Sequence, residues 1–224
     1  WESLTYGNNF SIVLNFIIFN FLFYSVKTVY YIHMLVLKKN YYLFVENTRE
    51  FNLNLIKIRK KFNIIYRKTV AKENIQNLID FRNNCKKNGI SFYVSNDTKL
   101  LAKLKADGLY ISAYNKSLGL NIYSRKGYKV IGSAHNQREL DLKIKQGCKV
   151  IIFSRLFETK YPHKKGYLGI QKFNILSLRS KNELVPLGGI NKKNLCKLNS
   201  VISKSFACLS AIKKKPAKFI NRLF

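Results

Sequence analysis

Proline and glycine are scarce in this chain, at 3 and 11 of 224 residues, and acidic side chains number only 11. So little proline and glycine excludes a collagen-like fibre or a low-complexity linker. The four cysteines, Cys85, Cys148, Cys196 and Cys208, form no C-x-x-C pair and have no histidine cluster beside them. A disulfide-stapled scaffold, a thiolate zinc site and a dithiol redox centre are thereby set aside. The cysteines read as reduced, mostly buried thiols of a cytoplasmic protein.

What is present is apolar and basic. Hydrophobic residues make up 47%, aromatics 14% and charged residues 23%, enough apolar surface for a substantial core and too much for a disordered tail. One domain of about 170–200 residues fits the length. The formal net charge is +30, a field that attracts anions of every kind. Only nine of the 41 basic residues are arginine, the side chain that nucleic-acid readers favour. Lysine, asparagine, isoleucine, phenylalanine and tyrosine share A- and T-rich codons. Genomic base composition is therefore the preferred account, and nucleic acid is not an expected partner.

The N-terminus is a separate problem. Residues 10–26 form an uncharged run of 17, interrupted by Asn15 and Asn20, at the short edge of what spans a bilayer. Lys27, Lys38 and Lys39 follow, which would leave the remainder on the cytoplasmic side. The only methionine is Met34, and a translation start there is the favoured expectation. Residues 1–39 are thus an apolar extension, and a membrane is a partner only if the 10–26 segment is real. Residues 213–224 are expected to form a basic tail or helix.

From residue 40 the chain alternates. Strands are expected at 41–45, 63–67, 91–95, 108–111, 129–132, 149–153, 183–187 and 205–209. Their spacing suits βα units rather than hairpins. Between them, 74–87 carries Ile75, Leu78, Ile79, Arg82 and Cys85 on one helical face. At 136–146, an Asn136 cap with Glu139 three residues on forms a capping box, and Asn191 is expected to cap a helix containing Leu195 and Leu198. Eight such units over 40–212 predict a compact α/β (β/α)8 barrel, weakest between Ile111 and Lys129. A doubly wound sheet would want a glycine-rich turn after the first strand, where Glu46-Asn47-Thr48 stands.

A barrel keeps its chemistry at strand C-terminal ends. Arg67 ends the second strand, Asn96 and Asp97 follow the third, and Asn115 lies beyond the fourth. Ser133 and His135 end the fifth, and a basic loop with Arg155, Thr159, Lys160, His163, Lys164 and Lys165 follows the sixth. Gly188, Gly189 and Asn191 follow the seventh, and Ser210 the eighth. Gly188-Gly189, a helix starting at Asn191, and Ser210 would form a phosphate cup. The basic loop points to a second, larger phosphate such as a diphosphate. Asp97 reads as a Mg2+ ligand or as a helix cap. His135 reads as a proton shuttle or as a residue of the helix start. Asp107 reads as a structural turn at the opposite end.

Read in order, S-N-D at 95–97, A-D-G-L-Y-I at 106–111, I-G-S-A-H-N at 131–136, L-F-E-T at 156–159, L-G-G-I at 187–190 and C-L-S-A-I at 208–212 resemble the thiamine-phosphate synthase and TenI-type thiazole tautomerase family. The resemblance covers roughly 41–212. It implies a barrel that joins a pyrimidine methyl diphosphate to a thiazole phosphate, giving thiamine phosphate and pyrophosphate, with Mg2+ helping the diphosphate leave. By position, Arg67 and Asn96 would contact the pyrimidine diphosphate, and Asp97 and Asn115 would hold the metal. Ser133 and Thr159, with Lys160 nearby, would meet the leaving diphosphate and the thiazole. Gly188, Gly189 and Ser210 would bind the thiazole phosphate. A homo-oligomer stays open.

The pattern also departs from the family. Ile65-Tyr66-Arg67-Lys68-Thr69 keeps only the arginine of the Gln-x-Arg-x-Lys motif. The second metal carboxylate falls on Asn115, and Ser112-Ala113 replaces a Gly-Gln. A metal-independent tautomerase using His135 as acid/base therefore remains an alternative, as does a silent barrel binding phosphates or nucleic acid.

Overall fold

The computed structural model of the chain describes residues 40–56, 59–68, 73–159, 166–191 and 193–208. The 10–26 run, Met34, the basic tail, Lys160 and Ser210 all lie outside the described residues. Eight strands appear: β1 Asn40–Val45, β2 Phe62–Tyr66, β3 Ser91–Ser95, β4 Gly108–Ile111, β5 Lys129–Ala134, β6 Val150–Ser154, β7 Glu183–Leu187 and β8 Ser205–Cys208. Each pairs in parallel with its sequence neighbour, and β1 pairs with β8 through Tyr41↔Phe206, so the sheet closes into a barrel. The expected (β/α)8 fold is observed.

Strand boundaries moved by a residue or two. β2 begins at Phe62, so Arg67 follows the strand rather than ending it, while β5 runs on to include Ser133 and Ala134. Pro186, which has no N–H to give, stands in β7. That strand pairs with β6 over five positions and with β8 at one, Leu187↔Ala207.

Helices are unequal. They are α1 Ile75–Lys87, α2 Thr98–Lys103, α3 Asn121–Arg125, α4 Gln137–Lys145 and α5 Gly169–Arg179. Among the described residues, the β1–β2 and β7–β8 connections contain 3-10 turns and no α-helix. Asn74 caps α1, accepting from Gln76 N. The α-helix expected from Asn191 is not formed. A 3-10 turn, Leu195–Ser200, takes its place, because the Asn194 oxygen accepts from Asn191 N, the Asn191 oxygen accepts from Lys193 N, and both amide nitrogens donate to Gly189 O. Such local side-chain bonds compete with helix formation.

Strand alternation builds two apolar layers. Tyr42, Phe44, Ile65, Tyr93, Tyr110 and Ile152 point into the barrel. Tyr41, Leu43, Phe92, Ile151 and Phe206 point outward against helix residues such as Leu78, Phe81, Leu140 and Phe173. Phe173 is fully buried, which stabilises by about 2–3 kcal/mol. At the N-terminal end of the barrel, Arg82 Nη2 lies 3.0 Å from Asp107 Oδ1, and Phe92 N donates to Asp107 Oδ2 at 2.8 Å. Asp107 is the structural turn that its position implied.

Candidate active site

The C-terminal mouth holds a cavity of about 300 Å³. Arg67, Ser133, Arg155, Thr159, Gly188 and Gly189 all line it, brought together from the ends of β2, β5, β6 and β7. Ala207 and Cys208 of β8 line it as well. No carboxylate is among its described lining residues.

Each side chain has a local reason for its place. Arg67 N donates to Val45 O at 2.9 Å, and its guanidinium sits 6.0 Å from the centre of the Phe44 ring, at the outer limit of a cation–π contact. Tyr110 stands edge-on to the same ring and donates to Ser133 Oγ at 2.8 Å. Burial pushes the Tyr110 phenol up to about 12, with Ser133 and Arg67 opposing the rise, so it stays a neutral donor. Arg155 Nη1 donates to Thr159 Oγ1 at 3.1 Å.

Gly188 and Gly189 have φ of +101° and +68°. A Cβ on Gly189 would come within 2.4 Å of Glu158 O and 2.5 Å of Phe157 O. The loop after β6 therefore packs onto this turn, tied by Leu156 N to Leu187 O at 2.9 Å and Phe157 N to Gly188 O at 3.1 Å. Close packing of one loop on another, rather than room for a ligand, is what demands glycine at Gly189.

The metal candidates stand beside the cavity and do not line it. Asn96, with φ of +56°, ties β3 to β4. Its amide nitrogen donates to Ser112 Oγ at 2.8 Å, and its oxygen accepts from Ser112 N and Asn115 Nδ2, both at 3.1 Å. Asp97 Oδ1 accepts from Leu100 N at 2.8 Å and caps α2, so the helix-cap role is real. Its Oδ2 makes no hydrogen bond among the described residues. Asn115 Oδ1 accepts from Ser117 N at 3.0 Å. Among the described residues no group of three or more His, Cys, Asp or Glu side chains could hold a metal.

His135 lines the mouth, half-exposed, with Nδ1 2.9 Å from Glu139 Oε2, which also accepts from His135 N at 2.7 Å. Glu139 thus reaches past the Asn136 cap, whose oxygen accepts from Glu139 N at 2.9 Å. Burial raises the Glu139 carboxyl, but its bonds to His135 and Asn136 outweigh that and hold it below the usual range. Sequence reasoning noted Arg155 only as part of a basic loop and left Tyr110 and Ser112 out of the site. The two-residue alternation of β4 places both facing inward and was the available signal for them.

The fold and its mouth define a (β/α)8 barrel with arginine, hydroxyl and Gly-Gly turn residues gathered at the C-terminal ends of its strands. The family model described as thiamine monophosphate synthase matches residues 32–212, and the chain belongs to that family. Proteins called thiamine-phosphate synthase are similar to it. One from Prochlorococcus marinus subsp. pastoris is 31% identical over 142 residues, 59% of this chain and 38% of that protein. One from Helicobacter pylori is 28% identical over 131 residues, 57% of this chain and 59% of that protein. The chain spans two-fifths or less of the length of the Prochlorococcus relatives it matches. Among solved structures, thiamine phosphate pyrophosphorylase from Pyrococcus furiosus superposes with a TM-score of 0.62 at 17% identity, over 84% of this chain and 95% of that one. The latter likeness concerns the fold. No helix among the described residues is long and apolar enough to cross a membrane.

Proposed function

We propose that this protein is a thiamine-phosphate synthase, joining a pyrimidine methyl diphosphate to a thiazole phosphate with release of pyrophosphate. The observation that carries the reading is a mouth cavity whose described lining holds two arginines, several hydroxyls and a Gly-Gly turn, and no carboxylate. Such a mouth suits a ligand with anionic groups and a developing anionic leaving group. Arg67 and Asn96 hold the pyrimidine diphosphate, Ser133 and Thr159 meet the leaving group and the thiazole, and Gly188 and Gly189 take the thiazole phosphate. No protein nucleophile is needed, because catalysis comes from stabilising the departing charge.

The metal donors are one carboxylate, Asp97, and one neutral amide oxygen, Asn115, at neighbouring strand ends. That set suits Mg2+ completed by substrate phosphate oxygens and water, and suits no all-protein cage. When bound there, Mg2+ supplies charge neutralisation to the diphosphate.

A second reading has one observation in its favour: His135 faces the mouth with its ring held by Glu139. A tautomerase needs one such acid/base and no metal. A coupled assay decides. Pyrophosphate release that needs both substrates and Mg2+, and is abolished by Asp97→Ala, supports the synthase. Turnover of the thiazole phosphate alone in chelator, stopped by His135→Ala, replaces it with the tautomerase. Salt-sensitive oligonucleotide binding with no response to either substrate refutes both.

A further inference from the structure

We propose that the N-terminal end of the barrel, its floor opposite the mouth, is a docking surface for an anionic lipid bilayer. A ring of strand-entry lysines and a rim of exposed aliphatic side chains would hold it there. The assignment goes beyond the synthase reading and holds whatever compound the mouth turns over.

Parallel strands all enter the barrel at one end, so their entry residues gather on the floor. Exposed lysines stand at most of these entries: Lys60 before β2, Lys105 before β4, Lys129 opening β5, Lys149 before β6, Lys181 before β7 and Lys204 before β8. Helices α1, α2, α4 and α5 end here too, with Lys87, Lys103, Lys145 and Arg179 in their last turns, where cations complement the helix dipole. Among the described residues the ion pairs are Arg82–Asp107 and His135–Glu139, so none of these cations is paired with a carboxylate. The described carboxylates of the floor are already engaged, Asp107 by Arg82 and Phe92 N, and Glu183 by Ser205 Oγ at 2.6 Å. Glu46, Glu73, Asp97, Glu139 and Glu158 instead follow strand C-terminal ends, toward the mouth. A lysine-rich base composition loads both ends of a barrel alike. It does not sort the acids to one of them.

A field of one sign attracts polyanions in general, and the side chains among the lysines decide which kind. Leu178 is 72% exposed, Ile202 49% and Ile144 40%, and they stand near the entries to β7, β8 and β6, close in sequence to Arg179, Lys204 and Lys145. Asn174 of α5 ties Leu178 and Ile202 into one frame, donating to Ser200 O at 2.8 Å and accepting from Ile202 N at 3.0 Å. The exposed aromatics Tyr114 and Tyr167 belong to loops of the mouth. Aliphatic side chains interleaved with lysines suit the boundary between headgroups and acyl chains, where apolar burial and charge attraction add. Nucleic acid rewards aromatic stacking and arginine forks instead. The chain before Asn40 also meets the barrel at this end, and its sequence carries the uncharged 10–26 run with Lys27, Lys38 and Lys39 after it. Docked in this way, the floor faces lipid and the mouth opens toward water.

The test is sedimentation of the full chain with vesicles of about 70% phosphatidylcholine and about 30% phosphatidylserine. Binding is expected to be about tenfold or more tighter than to phosphatidylcholine alone, and to weaken as salt is raised. Lys149→Gln, Lys181→Gln and Lys204→Gln combined should weaken it about tenfold or more, since each lysine near an anionic surface contributes about fivefold. Lys68→Gln, Lys99→Gln and Lys193→Gln combined remove the same charge from exposed positions at the mouth end, and should change it less than about threefold. Leu178→Asn with Ile202→Asn alters no charge. It should weaken vesicle binding about fivefold and leave oligonucleotide binding unchanged. A measurement on the unmutated protein guards against folding defects: vesicles should shield Lys149, Lys181 and Lys204 from an amine-acylating reagent and leave Lys99 reactive, read by peptide mapping. Equal losses in the two triple variants, or no shielding of the floor lysines, overturns the proposal. Vesicle binding indifferent to Leu178→Asn with Ile202→Asn overturns it as well, and makes nucleic acid the partner if the floor triple variant then loses oligonucleotide binding.

Discussion

Lys143 Nζ lies 2.8 Å from the carbonyl oxygen of Asn115 and 2.9 Å from Gln146 Oε1, with no part of the residue exposed. Gln146 Nε2 adds bonds to Asn115 O at 3.0 Å and Ser117 O at 2.9 Å. The lysine stem fills the hollow over Gly132 beside Cys148. A helix α4 cation therefore holds the backbone of the loop that carries Asn115. Lys143→Met keeps the stem but leaves Gln146 Oε1 without its donor, a loss of about 1–3 kcal/mol. Lys143→Ala also opens a cavity and is expected to cost more, about 2–5 kcal/mol. Calorimetric melting checks both, and two unchanged melting temperatures would refute the anchoring role.

Asp97 has two jobs that can be separated. Asn is as good an N-cap as Asp, so Asp97→Asn should keep the bond to Leu100 N and melt near the wild type. Asp97→Ala should lose about 1 kcal/mol of stability. If the carboxylate holds Mg2+, both variants lose metal-dependent pyrophosphate release alike. Full turnover in Asp97→Asn would show that only the cap matters.

Gly189→Ala tests the packing of the two rim loops. A methyl at 2.4 Å from Glu158 O, on a backbone with φ of +68°, must push the loop after β6 outward. We expect a loss of about 2–4 kcal/mol from strain and overpacking combined. Pyrophosphate affinity should fall with it, because Arg155 and Thr159 ride on that loop. A variant with wild-type melting temperature and affinity would contradict the geometry.

The opposite end of the barrel should behave differently. Arg82 is buried, and Asp107 is its only ion-pair partner among the described residues. The Asp107 side chain is 36% exposed, so the pair is half-buried; Asp107→Ala still leaves the buried Arg82 guanidinium and Phe92 N without their carboxylate acceptor and should lower stability by about 1–3 kcal/mol. Pyrophosphate affinity at temperatures where the variant is folded should stay at the wild-type value.

Alkaline pH should unfold the protein steeply. Burial raises the phenols of Tyr41, Tyr93 and Tyr110 to about 12, and those of Tyr42 and Tyr66 higher still. Unfolded tyrosine ionises near 10, so the native state binds more protons from there upward. The stability these groups contribute is complete below about pH 10 and is lost as pH rises toward 12. Lys143, whose pKa burial lowers, acts in the opposite sense but is one group against five. Tyrosinate absorbance and circular dichroism followed together should change in a single cooperative step. Phenol ionisation well before the loss of structure would contradict this.

Much of the barrel was legible because strand runs such as YYLFV and SFYVS are short, apolar and evenly spaced, and parallel strands buried on both faces read that way. Asn136 was a readable cap because it precedes a periodic apolar face with Glu139 three residues on. Asn191 carried the same local signal and misled, since Asn194 three residues on offered its backbone a competing partner. Asp97 shows a limit of another kind, as one carboxylate at a strand end serves cap and candidate ligand equally well. Arg155 was legible only as one cation among several in a lysine-rich loop. Nothing near it in sequence tells that Gly188, from the next strand, leaves its stem a groove to lie in.

Ring closure through Tyr41↔Phe206 carries a cost during synthesis. Until Ser205–Cys208 has cleared the ribosome, β1 has a single neighbour, and one whole row of its amide and carbonyl groups faces water. An N-terminal fragment has no complete mouth, whatever helices it has made. A stalled nascent chain presents a bare ribbon onto which a sister chain can add its own β8, so interrupted translation and strand exchange are two faces of the same geometry.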